Sequence, residues 1–469
     1  MSGFGGNEMI YADFVARKLS VLPPAGIDPP ANIAGPMFPH QLALTNWAMR
    51  RGRSAVFADT GLGKTRIQLA WADAVRAETG HNVLILAPLA VAEQTVEEGA
   101  EIGVVVNHAR DGKDVLPGIT ITNYERLHRF DPERFGAVVL DESSCIKHHD
   151  TKTLAMLMDA FRCTPYKRCA TATPAPNDWT ELGTHAEFLG VCTRAEMLSE
   201  YFVHDGGETQ VWRLKGHARR QFWAWVASWG ALLRSPADLG FDASAYQLPP
   251  LHTYEHLSET DAEPAEGILF ALEARTLSER RAARKSSMAA RVADCAEMVN
   301  SDPQPWVVWC DLNAESEALT KAIPGAVEIR GSHTIEQKEK ALADFAHGRA
   351  RVIVSKPSIC GFGLNWQHCS RMAFVGVTDS FESYYQAVRR CWRFGQKKPV
   401  DVHIFASHLE GAIIANLKRK EADALAMSEA LASESMGAVR ESVIGLSRDT
   451  NDYNATRAVK LPAFMRLSA

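Results

Sequence analysis

The sequence predicts an α/β protein of two tandem parallel-sheet lobes with a helical insertion between them. Short apolar, β-branched runs alternate with amphipathic stretches as far as Trp179, give way to helix-forming sequence, and resume at Trp306. Runs that are apolar at nearly every position suit strands covered on both faces, which is how parallel sheets are buried.

Residues 1–35 read as a lead-in, with a short helix over Ile10 to Leu19 followed by proline- and glycine-rich sequence from Pro23. Residues 36–180 make the first lobe, with strands expected at Ser54–Ala58, Val83–Pro88, Val104–Val106, Ile119–Thr122, Ala137–Leu140 and Arg168–Thr171. Residues 181–300 read as a helical insertion and inter-lobe linker, in which Trp212, Trp223, Trp225 and Trp229 gather. Packing of that insertion is the expected role of the tryptophans; a stacking platform or strand-separating wedge is the alternative. Residues 301–437 make the second lobe, with strands at Trp306–Cys310, Ala326–Ile329, Val352–Ser355, Met372–Gly376 and Val400–Phe405. Residues 438–469 are polar and irregular, a tail that docks on the body.

Composition narrows the class. In 469 residues, 46% hydrophobic and 23% charged side chains are ordinary for a soluble globular protein. Nine cysteines include no Cys-x-x-Cys pair, which argues against a zinc ribbon or disulfide framework and suits reduced thiols. His148-His149 beside Cys145 has no second ligand pair at a metal-binding spacing. No apolar run approaches the roughly 20 residues that cross a bilayer, and Met1 to Met9 lacks the pattern of a signal peptide, so no membrane role is expected. A formal net charge of -5 excludes a wholly basic nucleic-acid coat; any grip on DNA must be local.

Three segments carry chemistry. Thr60-Gly61-Leu62-Gly63-Lys64-Thr65 follows a strand and opens a helix, so its backbone N–H groups can wrap phosphates. Lys64 then reaches the β and γ phosphates and Thr65 binds magnesium, although the spacing departs from the strict GxxxxGK(S/T) pattern. Asp141 and Glu142 end an apolar strand, where Asp141 can hold the metal and Glu142 can polarise the attacking water. Arg390 and Arg393, three apart on a helix expected from Phe381 and ended by Gly395, face one side and can stabilise a transferring phosphoryl group.

The order of these elements resembles helicase superfamily 2, and within it the Swi/Snf-like ATPases that translocate on DNA. Phe38-Pro39-His40-Gln41 resembles the adenine-reading element, with Gln41 as the reader, and Val139 to Lys147 resembles the acidic motif with its trailing Ile-Lys. Thr171-Ala172-Thr173-Pro174 to Asn177 resembles the threonine-rich coupling motif, and Leu232 to Ser235 with Leu248-Pro249-Pro250 echoes the linker. Gly361-Phe362-Gly363-Leu364-Asn365 resembles the interface glycine motif, and Gln386 to Gln396 resembles the arginine-finger motif with its trailing Gly-Gln. The similarity spans roughly residues 36 to 406. It implies two RecA-like lobes, ATP with magnesium (Mg2+) as cofactor, and a DNA-dependent ATPase that is a translocase or helicase. Nucleotide contacts are implied at Gln41, Thr60, Gly61, Leu62, Gly63, Lys64, Thr65 and Gly363, and catalytic roles at Lys64, Asp141, Glu142, Gln386, Arg390 and Arg393.

Leu84 to Leu89, Ile121 to Glu125 and Ile329 to Ser332 resemble backbone-gripping motifs, so DNA contacts are implied at Pro88, Thr122, Tyr124, Gly331, Ser332, Ser355 and Asn365. Arg280, Arg284 and Arg291 form a basic stripe that is a further candidate contact. One departure stands out: the position after Ser143 is Ser144, where the family usually has histidine or aspartate. The short insertions resemble minimal motors of bacteria and their phages, which implies a cytoplasmic setting and a nuclease or a replication or recombination protein as partner. An RNA helicase of the same superfamily and an ATP-switched subunit of a nuclease or defence complex are the alternatives.

Overall fold

The computed structural model describes residues 25–88, 91–146, 151–175, 178–204, 212–258, 287–360, 365–376, 380–407, 414–419 and 435–445. Two large sheets, every neighbouring pair of strands parallel, organise it. The first lobe runs β1 (Arg53–Ala58), β2 (Val83–Ala87), β3 (Val106–His108), β4 (Ile119–Asn123), β5 (Ala137–Asp141) and β6 (Tyr166–Ala170). A small antiparallel hairpin, β7 (Phe202–His204) with β8 (Trp212–Leu214), follows, and β9 (Gly230–Leu233) completes the first sheet in the order β3-β4-β2-β5-β6-β1-β9. The second sheet takes β10 (Leu251–Ser258), β11 (Trp306–Cys310), β12 (Val327–Ile329), β13 (Val352–Ser355), β14 (Arg371–Val375) and β15 (Val400–Ser407) in the order β10-β15-β14-β11-β13-β12.

Strands β2, β4, β5 and β11 are buried along their whole length, as apolar runs covered on both faces require. Six helices bear on the site: α1 (Pro39–Arg51), α2 (Lys64–Thr79), α3 (Ala92–Glu101), α4 (Arg219–Trp229), α5 (Ile335–Ala346) and α6 (Phe381–Val388). Helix α2 starts at Gly63 and stops at Gly80, both left-handed, a conformation glycine adopts without a Cβ penalty.

The expected strands form, with one shift of register along the chain: β3 occupies Val106–His108, not Val104–Val106. Four further strands fall within residues 181–300, where only helix and linker were expected: the β7–β8 hairpin, and β9 and β10, which join the two large sheets. β9 is a four-residue run too short to show a period, and it pairs with the free edge of β1. β10 is an edge strand exposed over most of its length, so its sequence carries no apolar pattern to read. The described part of the tail docks on the body, as expected, but is helical and not irregular. Residues 435–444 are helical and place Val439 and Val443 in the core beneath α1, where the Trp47 indole donates to Ser442 Oγ at 2.9 Å.

The tryptophans pack the insertion. Trp223 and Trp229 are each 1% exposed, Trp229 lies edge-on to Phe57 of β1, and Trp223 meets Trp179 at a ring distance of 5.3 Å. That burial leaves neither ring able to act as a wedge. Trp223→Ala is expected to lower unfolding free energy by about 3–5 kcal/mol, read by denaturant titration; a loss below about 1 kcal/mol would mean the ring is not part of the core. Arg291 is likewise inside, donating to Glu315 at 2.9 Å and to Ser287 at 3.0 Å, so it is not a DNA contact. Arg280 and Arg284, like the helix expected over Ile10 to Leu19, lie outside the described residues. Among the described residues no helix is long and apolar enough to cross a membrane.

Candidate active site between the lobes

A cleft of about 580 Å³ lies where the C-terminal ends of β1 and β5 face the segment after α6. Thr60, Gly61, Gly63, Lys64, Thr65, Asp141 and Glu142 line one wall; Asn365, Arg390, Arg393, Phe394 and Gly395 line the other. The residues expected to bind and hydrolyse a nucleotide are therefore brought together from both halves of the chain.

The loop between β1 and α2 is shaped by its glycines. Gly63 has φ +81°, and a Cβ there would stand 2.0 Å from the Gln41 amide nitrogen. Gly61 has φ +92°, and a Cβ there would meet Phe394 of the second lobe at 2.8 Å, so only glycine allows that approach. The Gln41 carbonyl accepts from the Phe38 N–H at 3.0 Å while its amide donates to the Leu62 carbonyl at 3.2 Å, which fixes the loop from below. The Leu62 side chain is buried, so any contact it makes with a ligand is through its backbone. Lys64 Nζ donates to the Ala58 carbonyl at 2.8 Å. Burial holds its pKa below the usual lysine value, opposed by Glu142, Asp59 and Asp141.

On β5, Asp141 Oδ1 accepts from the Gln68 amide at 2.7 Å. Burial, reinforced by the neighbouring Glu142 carboxylate, pushes the Asp141 pKa up to about 6. Glu142 has φ +48°, the one non-glycine residue with positive φ among the described residues. A turn of that kind is strained for a side chain with a Cβ, and it swings Glu142 off the strand toward the cleft. Glu142 Oε2 accepts from the Thr171 hydroxyl at 3.4 Å, and Thr171 in turn accepts from the Thr173 N–H at 3.2 Å. This direct contact links the acidic and threonine segments. Behind it, Ser143 shares a 3.1 Å hydrogen bond with His185, whose full burial lowers its pKa to about 4 and keeps the ring neutral.

The second-lobe arginines arrive differently from expectation. Helix α6 stops at Val388, so Arg390 and Arg393 do not share a helical face, and Gly395 does not end that helix. Consecutive tight turns carry the chain onward, and the Gln396 amide pins them through bonds to the carbonyls of Gln367, Cys369 and Cys391. Both arginines still reach the same cleft. Arg390 donates to the Gln386 side chain at 3.0 Å, and Gln386 donates across the lobes to Thr173 Oγ1 at 3.4 Å. A continuous chain of polar contacts thus joins Glu142, Thr171, Thr173, Gln386 and Arg390.

Two features escaped sequence reasoning. Phe38, Tyr246 of the linker and Phe394 form an aromatic wall, Tyr246 stacked on Phe394 at 4.6 Å and Phe38 edge-on to Phe394 at 6.0 Å. Arg389, next to the chosen Arg390, pairs with Asp59 of the first lobe; nothing in its spacing set it apart.

The implied DNA contacts are less well gathered. Thr122 is fully buried, Tyr124 is buried with its hydroxyl donating to the Asp141 carbonyl at 2.7 Å, and Ser355 is buried and bonded to the Ile329 carbonyl. Thr122 and Ser355 lie in strands buried at every position, and Tyr124 opens the short helix directly after β4. Asn365 lines the nucleotide-sized cleft. Gly331 and Ser332 are exposed and Pro88 is half-buried at the end of β2. Gly363, Lys147 and Asn177 lie outside the described residues.

The donor set suits a hard cation. Asp141 offers a carboxylate oxygen and Thr65 a hydroxyl oxygen to the same cleft, the kind of oxygen ligands magnesium takes together with phosphates and water.

Residues 292–395 match the helicase conserved C-terminal domain family. Protein p41 of Acyrthosiphon pisum secondary endosymbiont phage 1 is 23% identical over 437 residues, covering 78% of this chain and 91% of the relative. A solved structure, the Sulfolobus solfataricus SWI2/SNF2 ATPase core in complex with dsDNA, aligns at 17% identity and a TM-score of 0.39, over 90% of this chain and 99% of that one.

Proposed function

We propose, for a chain whose residues 292–395 match the helicase conserved C-terminal domain family, a Swi/Snf-like DNA-dependent ATPase of helicase superfamily 2 that moves along duplex DNA. The observation that carries it is the shared cleft: phosphate loop and acidic pair on one wall, arginines on the other.

In this reading the Gly61 to Thr65 loop cradles the phosphates of ATP and Lys64 leaves its internal carbonyl partners to reach them. Thr65 and Asp141 hold magnesium, which when bound neutralises charge on the phosphates. Glu142, turned out of the strand, orients the attacking water. Arg390 and Arg393 stabilise the transferring group only when the lobes are together, so hydrolysis is tied to closure. Gln41, with Phe38, Tyr246 and Phe394 beside it, provides a flat wall suited to a purine. Exposed Gly331 and Ser332, with Pro88, grip the DNA backbone, so sequence preference is small and salt dependence strong. The cytoplasm of a bacterial or phage-infected cell is the proposed setting, supported by the phage relative. A nuclease or a replication or recombination protein is the proposed user of the motor.

ATP turnover of the purified chain is the test, measured with duplex DNA, single-stranded DNA and RNA, alongside triplex displacement and strand unwinding. Stimulation by duplex with triplex displacement is the expected result. Equal stimulation by RNA, or no response to any nucleic acid, would sink it.

A further inference from the structure

Taking the cleft as the ATPase site proposed above, we propose that Arg389 is a positioning residue that latches the second lobe onto the phosphate loop through Asp59 before nucleotide binds. Asp59 sits at the start of that loop, directly after β1. Its Oδ1 accepts from its neighbour's N–H, that of Thr60, at 2.6 Å and from the Tyr385 hydroxyl at 2.9 Å, while Oδ2 accepts from the Arg389 guanidinium. Arg389 is itself held: its Nε donates to the Tyr385 hydroxyl at 3.1 Å, and the guanidinium lies over the Trp392 ring at 4.9 Å. The pair joins residues 330 positions apart in the chain.

Neither Asp59 nor Arg389 lines the cleft; behind it, the Asp59 carbonyl accepts from Lys64 Nζ at 3.4 Å. The contact is nonetheless sheltered, with the Arg389 side chain 7% exposed and that of Asp59 24%. A charge pair so placed is screened far less by salt than the exposed inter-lobe pairs of Arg110 with Glu336 and Glu339, whose arginine is 47% exposed. Opening the lobes would strip the Asp59 carboxylate of two of its three donors and leave the loop's own Thr60 N–H as the remaining one. The latch therefore favours the closed form without ATP. A site that is competent only when closed gains apparent affinity in proportion to its closed fraction. Arg389 should accordingly set KM, while Arg390 and Arg393 set kcat.

The experiment compares the full chain with Arg389→Gln, Arg389→Lys, Asp59→Asn and the Arg389→Gln/Asp59→Asn double variant. Dyes on the two lobes report their separation by energy transfer without nucleotide, and steady-state kinetics report KM and kcat with saturating DNA. Arg389→Gln is expected to separate the lobes and raise KM roughly tenfold, with kcat within about twofold. Arg389→Lys should recover part of the KM, and the double variant should be no worse than the worse single one. Unchanged KM in Arg389→Gln overturns the latch, as does a loss confined to kcat. If the parent shows no ATP turnover, the ATPase reading fails by itself; the lobe separation of nucleotide-free Arg389→Gln then decides the latch, equal separation overturning it.

Discussion

Arg393→Ala is expected to lower kcat for DNA-stimulated ATP hydrolysis by roughly 10³ to 10⁵, with nucleotide affinity changed only a few-fold. The guanidinium lines the cleft opposite the phosphate loop, and its pKa is lowered by burial, an effect that Glu98 and Glu142 oppose. A planar cation of this kind matches charge spread over phosphoryl oxygens, and in a partly buried cleft it acts with little screening. Arg393→Lys should rescue little, because a compact ammonium cannot reproduce the fork. Turnover of the alanine variant within tenfold of the parent, at matched DNA and ATP saturation, would remove Arg393 from the mechanism.

Glu142→Gln is the second large effect: kcat should fall by roughly 10² to 10⁴, the usual worth of a positioned general base. The amide can keep the bond from the Thr171 hydroxyl, so the polar chain to Gln386 survives and the loss belongs to the missing carboxylate. Glu142 also raises the pKa of adjacent Asp141, after burial the largest contribution, so removing its charge relieves like-charge repulsion. That relief is offset by the lost attraction to Lys64, Arg390 and Arg393, so the variant is expected to melt near the parent temperature while hydrolysing almost nothing. An inactive variant that also melts well below the parent would point to a folding defect, and retained turnover would place the base elsewhere.

Much of the site was legible in the chain. Gly61, Gly63, Lys64 and Thr65 declare themselves because a loop that wraps phosphates needs left-handed glycines between a strand and a helix, all within a few positions. Asp141 and Glu142 were readable because β5 is apolar to its end. Arg390 and Arg393 were chosen for a helical spacing that does not exist, yet both reach the cleft, since the turns after Val388 return them to it.

The residues expected to contact DNA show where a single sequence runs out. Thr122, Tyr124 and Ser355 sit in or directly after strands covered on both faces, and burial on both faces erases the alternation that would tell inward from outward. β10 fails for the opposite reason, being exposed along most of its length.

Local backbone chemistry, then, is what the amino-acid order determined: two parallel-sheet lobes, a glycine-rich loop between strand and helix, an acidic strand end and an arginine segment, each set by neighbours along the chain. Tertiary structure alone decided that β9 joins the first sheet, that residues 435–444 return to pack under α1, and that Arg389 meets Asp59. Those outcomes depend on which distant surfaces meet, and no periodicity within one segment records the partner it will find hundreds of residues away.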